Sequence, residues 1–280
     1  MMMAGIINGT SNYILSSMAN EGAAFEEALK AAQEAGFAEA DPTLDITGGD
    51  AGHKLALIAG LAFGAHVLPN QIPTEGIDQV DPRDIQYAHN FGYVIRPLAV
   101  AARVDSGALD LRVHPALVPR SDPLAHVDGA LNAVAIQGEM VGPSFLSGLG
   151  AGAAPTATSV AGDIVDIARN LLAGAPMRTW YLPVEGEQRI QPLADLSSRY
   201  YLRFSVRDES GVLASLSGKL GNAGISIEKM VQDVESGAEG TATIAILTHR
   251  AREGDLRTSL AAIDETHLTT APTHLIRIVQ

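Results

Sequence analysis

Glu39, Asp41, Asp45 and Asp50 precede Lys54 in one glycine-punctuated stretch, Gly36-Phe-Ala-Glu-Ala-Asp-Pro-Thr-Leu-Asp-Ile-Thr-Gly-Gly-Asp-Ala-Gly-His-Lys54. Carboxylates can hold a cationic ligand, and an ammonium can stabilise negative charge growing on an oxygen and give it a proton. Asp50 and Lys54 stand four residues apart, so a helix would bring them onto one face, with the acid N-terminal to the base in the favourable order. Spacing alone reads as a surface ion pair worth a few tenths of a kcal/mol. The following Leu55-Ala-Leu-Ile-Ala-Gly-Leu-Ala-Phe63 is apolar nearly all round, however, and predicts a buried helix that holds the pair beside a packed interior. There a lysine oriented by a carboxylate serves proton transfer. A calcium loop is the rival for so many acids, but their spacing departs from the EF-hand order.

Several elements must position this stretch. Asn8-Gly-Thr-Ser-Asn12 supplies turn and capping side chains just before Tyr-Ile-Leu, which predicts a helix starting near Thr10. On its residues alone this is a capped helix. Apolar residues at 25, 28, 29, 32 and 35 repeat with a helical period, and Gly36 is a suitable stop, so Glu39 falls in a loop just beyond a helix end. Gly48-Gly49 permits close backbone approach, and Thr47 or Asp50 can cap the helix that carries Lys54.

Further along, Asp81-Pro-Arg-Asp seeds a short helix between Ile77 and Gly92. The period then changes. Residues 94–104, 108–114 and 131–137 read as strands, which predicts an α+β domain with a mainly antiparallel sheet and helices on one face. His114 and His126 read as edge or loop residues, and no histidine spacing suggests a metal site. Gly148-Leu-Gly-Ala-Gly152 precedes a helix over about 156–172. It lacks the phosphate-loop arrangement and reads on its own as a tight turn into that helix. From residue 200 the order is strand 200–206, helix 212–220, strands 225–232 and 242–247, helix 255–264 and strand 273–279. That β-α-β-β-α-β order is ferredoxin-like.

Composition bounds the function. The formal net charge of −13, with no basic run, argues against a nucleic-acid partner. The absence of cysteine excludes disulfides, a thiolate nucleophile and thiolate-ligated metals. The longest apolar run, Leu55 to Val67, is too short for a bilayer, and the N-terminus has no signal-peptide pattern, so no membrane partner and a cytoplasmic location are expected.

Three motifs carry a resemblance: Glu39 to Lys54, Gly5-Ile-Ile-Asn-Gly-Thr-Ser-Asn-Tyr-Ile-Leu15, and Gly148-Leu-Gly-Ala-Gly-Ala-Ala-Pro-Thr-Ala157. Together, and in this order, they resemble the homoserine dehydrogenase family. Asp208-Glu-Ser-Gly-Val-Leu213 and Asn222-Ala-Gly-Ile-Ser-Ile227 resemble the signature of ACT regulatory domains. The resemblance implies a catalytic and dimerisation domain over 1–180, a linker over 181–198 and an ACT domain over 199–280. It also implies that the family's N-terminal nucleotide-binding domain is missing, so that this chain alone is expected to be inactive.

The implied reaction is reduction of L-aspartate 4-semialdehyde to L-homoserine with NADPH or NADH. Lys54 is expected to be the proton relay, oriented by Asp50, with Glu39 and Asp45 on the substrate ammonium and Gly9 and Thr10 lining the amino-acid pocket. Gly150, Ala151 and Gly152 are expected to make a secondary contact with the nicotinamide end of the cofactor. Gly211 and Asn222 are candidate contacts for an effector such as threonine, in a homodimer or homotetramer. The competing reading is a non-catalytic amino-acid-binding regulatory or dimerisation module. The joint presence of Glu39, Asp50 and Lys54 favours the enzyme.

Overall fold

The computed structural model of the chain describes residues 1–175, 188–234 and 240–279. In chain order the first elements are β1 (Met2–Ile6), α1 (Gly9–Glu21), α2 (Phe25–Glu34), the single-turn α3 (Thr43–Ile46), α4 (Gly49–Phe63), α5 (Pro82–Asn90), β2 (Tyr93–Arg103) and β3 (Leu109–Pro119). They lead to β4 (Leu131–Gly138), β5 (Gly142–Leu149), α6 (Ala153–Leu172), β6 (Ser197–Arg207) and α7 (Val212–Asn222). The chain continues with β7 (Ile227–Val234), β8 (Thr241–Thr248), the short β9 (Ala251–Arg252), α8 (Glu253–Asp264) and β10 (His274–Ile278).

Capping chemistry sets the helix starts. Asn8 accepts the Ser11 N–H at 2.8 Å and opens α1. Asp81 accepts the Arg83 N–H and, with Pro82 in the first turn, opens α5. Three strands go beyond the expected set: β1, β5 and the two-residue β9, which pairs with Ser197 and Ser198 of β6. β1 has no alternating pattern because Met3, Ala4 and Ile6 are all buried. β5 is rich in Gly, Pro and Ser, and forms by pairing along the whole of β4 rather than by propensity.

The described residues fall into two compact units, one drawn from 1–78, 97–114 and 126–190 and the other from 79–96, 115–125 and 191–280. In the first, β1 pairs antiparallel with both β2 and β4, and β4 pairs with β5. Leu55 and Ala59 of α4 pack with Ala99, Ala101, Leu109, Leu111 and Val113 in its core. In the second, the order β10-β6-β8-β7 is antiparallel throughout, and β10 also pairs in parallel with Ala116 and Leu117 of β3. That is the ferredoxin-like order. Tyr200, Phe204, Leu216, Leu220, Ile244, Ile246, Leu256 and Ile263 fill its core.

Three expectations are corrected or bounded. α4 is not buried all round: Leu57 is 72% and Leu61 78% exposed, so hydropathy marked the helix but not which face is covered. His114 lies inside β3 and is buried, with its Nε2 accepting from Arg112 Nε at 3.0 Å, because β3 runs on through Pro115. Of the expected linker, 181–187 lies outside the described residues. Within its remainder Ile190 bridges to Leu109, and β6 begins at Ser197.

The second unit contains two buried ionic hubs. Asp84 of α5 is fully buried and accepts from Arg203 Nε (2.6 Å), Tyr201 Oη (2.8 Å) and His274 Nδ1 (2.8 Å). Burial opposes its ionisation, but the hydrogen bonds and charges of His274 and Arg203 outweigh that and hold its carboxyl well below the usual carboxylate range. The Tyr201 hydroxyl is pushed up, first by burial and then by the Asp84 charge beside it. Glu253 and Arg277 form the other buried pair, with Arg277 Nε 2.7 Å from Glu253 Oε2.

Candidate active site at the start of α1 and α4

The candidate site is built at the junction of β1 and α1. Asn8 has extended backbone, φ −126° and ψ 108°, and its Oδ1 is engaged by the helix cap. Its Nδ2 therefore points away and donates to Asp45 Oδ1 at 2.7 Å and Asp50 Oδ2 at 2.9 Å. Lys54 Nζ donates to the same Asp50 oxygen at 2.6 Å and to the Ile7 carbonyl at 3.2 Å. The helical spacing of Asp50 and Lys54 thus closes the pair, as i and i+4 should.

Neighbouring residues fasten the carboxylate loop to α1. Ser11 Oγ donates to the Asp45 carbonyl at 2.9 Å, and Thr10 Oγ1 donates to the Phe37 carbonyl at 2.6 Å. The start of α4 is held from its other side. Gly48 has φ 81°, a left-handed conformation suited to glycine, and a Cβ there would meet Thr74 Cγ2 at 2.9 Å. The Ile77 N–H donates to the Ile46 carbonyl at 2.9 Å, which locks the 73–77 segment against the loop.

This arrangement is open and polar. The Lys54 side chain is 47% exposed and that of Asp50 25%. The packed interior expected around the lysine is therefore lacking on its outer side. An ammonium carries three donors. Among the described residues Lys54 uses two of them, on Asp50 and Ile7, so the third can meet a ligand oxygen.

Other expected residues lie apart from this network. Glu39 is exposed, and its backbone carbonyl accepts from Gln33 Nε2 at 3.1 Å. Asp41 is taken up locally by the Thr43 hydroxyl and N–H, which hold its carboxyl below the ordinary range. Gly150, Ala151 and Gly152 form the exposed turn between β5 and α6, with Gly152 at the helix cap. Gly211 and Asn222 sit at opposite ends of α7. At 1.5 Å per residue they are roughly 16 Å apart along the helix, so a small amino acid cannot touch both within one chain.

Asn8 and Ser11 are the residues whose part in the site the sequence did not disclose. Asn8 stands in a cap position, which is a local signal, but its bond to Asp45 joins residues 37 apart. No periodicity reports such a contact.

A linked polar cluster, Asn8, Asp45, Asp50 and Lys54, on an α+β unit, together with a ferredoxin-like unit, describes a two-part α+β protein. Residues 200–267 match the ACT domain profile, and residues 1–165 match that of homoserine dehydrogenase. The chain belongs to the homoserine dehydrogenase family. It is 44% identical over 280 residues to a homoserine dehydrogenase of Neisseria gonorrhoeae, an alignment covering 99% of this chain and 64% of that protein. The crystal structure of a homoserine dehydrogenase from Thiobacillus denitrificans superposes with a TM-score of 0.91 at 40% identity, covering 100% of this chain and 64% of the other. The Staphylococcus aureus enzyme gives a TM-score of 0.73 at 26% identity, covering 99% of this chain and 64% of that one. The chain thus spans somewhat under two thirds of the length of these relatives. No helix among the described residues is long and apolar enough to cross a membrane.

Proposed function

We propose that this chain carries the amino-acid site and proton-handling group of a homoserine dehydrogenase, interconverting L-aspartate 4-semialdehyde and L-homoserine in threonine, methionine and isoleucine biosynthesis. The observation that carries the reading is the linked set Asn8, Asp45, Asp50 and Lys54 in a chain of this family. The amides of Gly9 and Thr10, at the start of α1, suit the substrate carboxylate. Asp45 has lone pairs beyond the one that Asn8 occupies, and with Glu39 it offers negative charge to the substrate ammonium.

Lys54 hydrogen-bonds the aldehyde oxygen, stabilises the charge that grows there as the carbon is reduced, and gives that oxygen its proton. The neutral amine so formed is reprotonated from solvent through its open side. Asp50 keeps Nζ in place and balances the ammonium. NADPH or NADH, when bound, supplies the hydride. The Gly150–Gly152 turn fits one end of such a cofactor: it is exposed, carries almost no side chain and leads into the N-terminus of α6, whose amides suit a polar group. The described residues contain no glycine-rich dinucleotide grip after a parallel strand.

Assembly is part of the reading. Phe145, Leu146 and Leu149 of β5 and Ile164, Leu171 and Leu172 of α6 are exposed, which supports a homodimer or homotetramer. The effector reading for Gly211 and Asn222 then requires two ACT units side by side, each offering one end of α7 to threonine. A non-catalytic regulatory module is the second reading, favoured by the ACT fold; it leaves the Asn8–Asp50–Lys54 linkage without a purpose. The protein is read as cytoplasmic.

The test is oxidation of NADPH with L-aspartate 4-semialdehyde, using this chain fused behind the N-terminal third of the Neisseria gonorrhoeae relative. Turnover is expected from the fusion, and at least about 100-fold less from the unfused chain, because cofactor orientation depends on the grip the fusion adds. A folded fusion that leaves NADPH untouched would overturn the reading.

A further inference from the structure

Asn132 lies where two glycine turns meet. It is the second residue of β4 and pairs with Gly148 of β5. One pair further, at Leu131 and Leu149, the ladder ends, and Gly150 folds over the Asn132 side chain. A Cβ on Gly150 would fall 1.9 Å from Asn132 Nδ2 and 2.5 Å from its Cγ, so any side chain there would have to push the carboxamide aside. On the other side, a Cβ on Gly9 would fall 3.5 Å from Asn132 Oδ1 and 2.8 Å from the Ala130 carbonyl oxygen. A single carboxamide therefore fills the space between the first turn of α1 and the turn that opens α6.

Two further observations bear on it. Asn132 Oδ1 is buried without a hydrogen-bond partner among the described residues, an uncommon and unfavourable state for a polar atom. The approach to Asn132 is braced from α1, where Asn12 Nδ2 donates to the carbonyls of Val127 and Gly129, each at 2.9 Å. The 127–131 segment is thereby tied to the same helix start whose cap holds Asp45 and Asp50.

We propose that Asn132 is a positioning residue whose carboxamide sets the Gly150–Gly152 turn against the Gly9 turn, fixing the cofactor-facing side of the site relative to its amino-acid side. What the two turns bind rests on the functional reading above; the contact itself rests on geometry alone. Asn132 acts through Gly9 and Gly150 and takes no part in proton transfer. Gly150 is then glycine because Asn132 occupies the place of its side chain, and the two positions form one unit.

The experiment compares the full chain with its Asn132→Ala, Gly150→Ala and doubly substituted forms. Amide hydrogen exchange is followed by mass spectrometry over 148–152, and L-homoserine affinity by calorimetry at a temperature where circular dichroism shows every form folded. Each single substitution is expected to speed exchange in the turn and weaken L-homoserine binding about tenfold, whereas Gly150→Ala added to Asn132→Ala should change little, since residues in contact are non-additive. A melting temperature that falls while affinity and exchange stay within about twofold would mean a merely structural residue and would overturn the proposal, as would additive effects in the double form. If the unsubstituted chain takes up no L-homoserine but the exchange effects are non-additive, the functional reading fails and the wedge stands.

Discussion

Replacing Lys54 with alanine in the fused, cofactor-competent protein is expected to lower turnover by roughly 10²–10⁴-fold, the contribution of a positioned acid–base group. The fold should persist, because the Lys54 side chain is half-exposed. The loss should fall on kcat and kcat/KM together, as for an interaction made mainly in the transition state. Local geometry supports the proposed role. Asp50 Oδ2 holds its Nζ at 2.6 Å, and Asn8 Nδ2 steadies the same carboxylate oxygen. A loss of less than about tenfold, with the circular dichroism unchanged, would remove Lys54 from the mechanism.

The largest effect on stability is expected at Asp84, far in function from the acid loop. Asp84→Ala leaves the buried Arg203 guanidinium without its carboxylate, along with Tyr201 and His274. Removing one partner of a buried ion pair costs about 3–5 kcal/mol, which urea unfolding reads directly. The same residue sets a pH dependence. Its folded pKa lies below the unfolded value, so in acid the unfolded chain binds the extra proton. The stabilisation is complete above the unfolded carboxyl value of about 4 and is lost as pH falls below it towards the folded pKa. Asp84→Asn should therefore flatten the acid limb of the stability curve below about pH 4. A variant destabilised by less than about 1 kcal/mol, or one with the same acid limb as the parent, would show that the hub is not the anchor described.

The parts of this molecule that were legible in the sequence are those specified locally. Asp50 and Lys54 meet because helical spacing requires it, and the α5 start follows from Asp81-Pro82. The C-terminal β-α-β-β-α-β order follows from apolar runs of strand and helix length divided by turn residues. What escaped was specified by distant partners. Asn8 looked like a cap alone, yet it joins two carboxylates that lie far along the chain. Thr10 stood out only as a pocket residue, and the bond from its hydroxyl to the Phe37 carbonyl, which steadies the loop, had no signal in the sequence. Asp84 read only as part of a helix start, whereas burial among residues of β6 and β10 makes it a hub. β1 and β5 had no periodic signature because one is buried on both faces and the other is exposed along nearly all its length.

An amino-acid site built on Asn8, Asp45, Asp50 and Lys54 is the central claim, and the binding step tests it most directly. Calorimetric titration of the 280-residue chain with L-homoserine needs no cofactor turnover. Saturable uptake at a single site per chain is expected, weakened at least about tenfold by Asp50→Ala, since that change removes the group on which Asn8 and Lys54 converge. A folded chain that takes up no L-homoserine, or one whose affinity ignores Asp50→Ala, would contradict it.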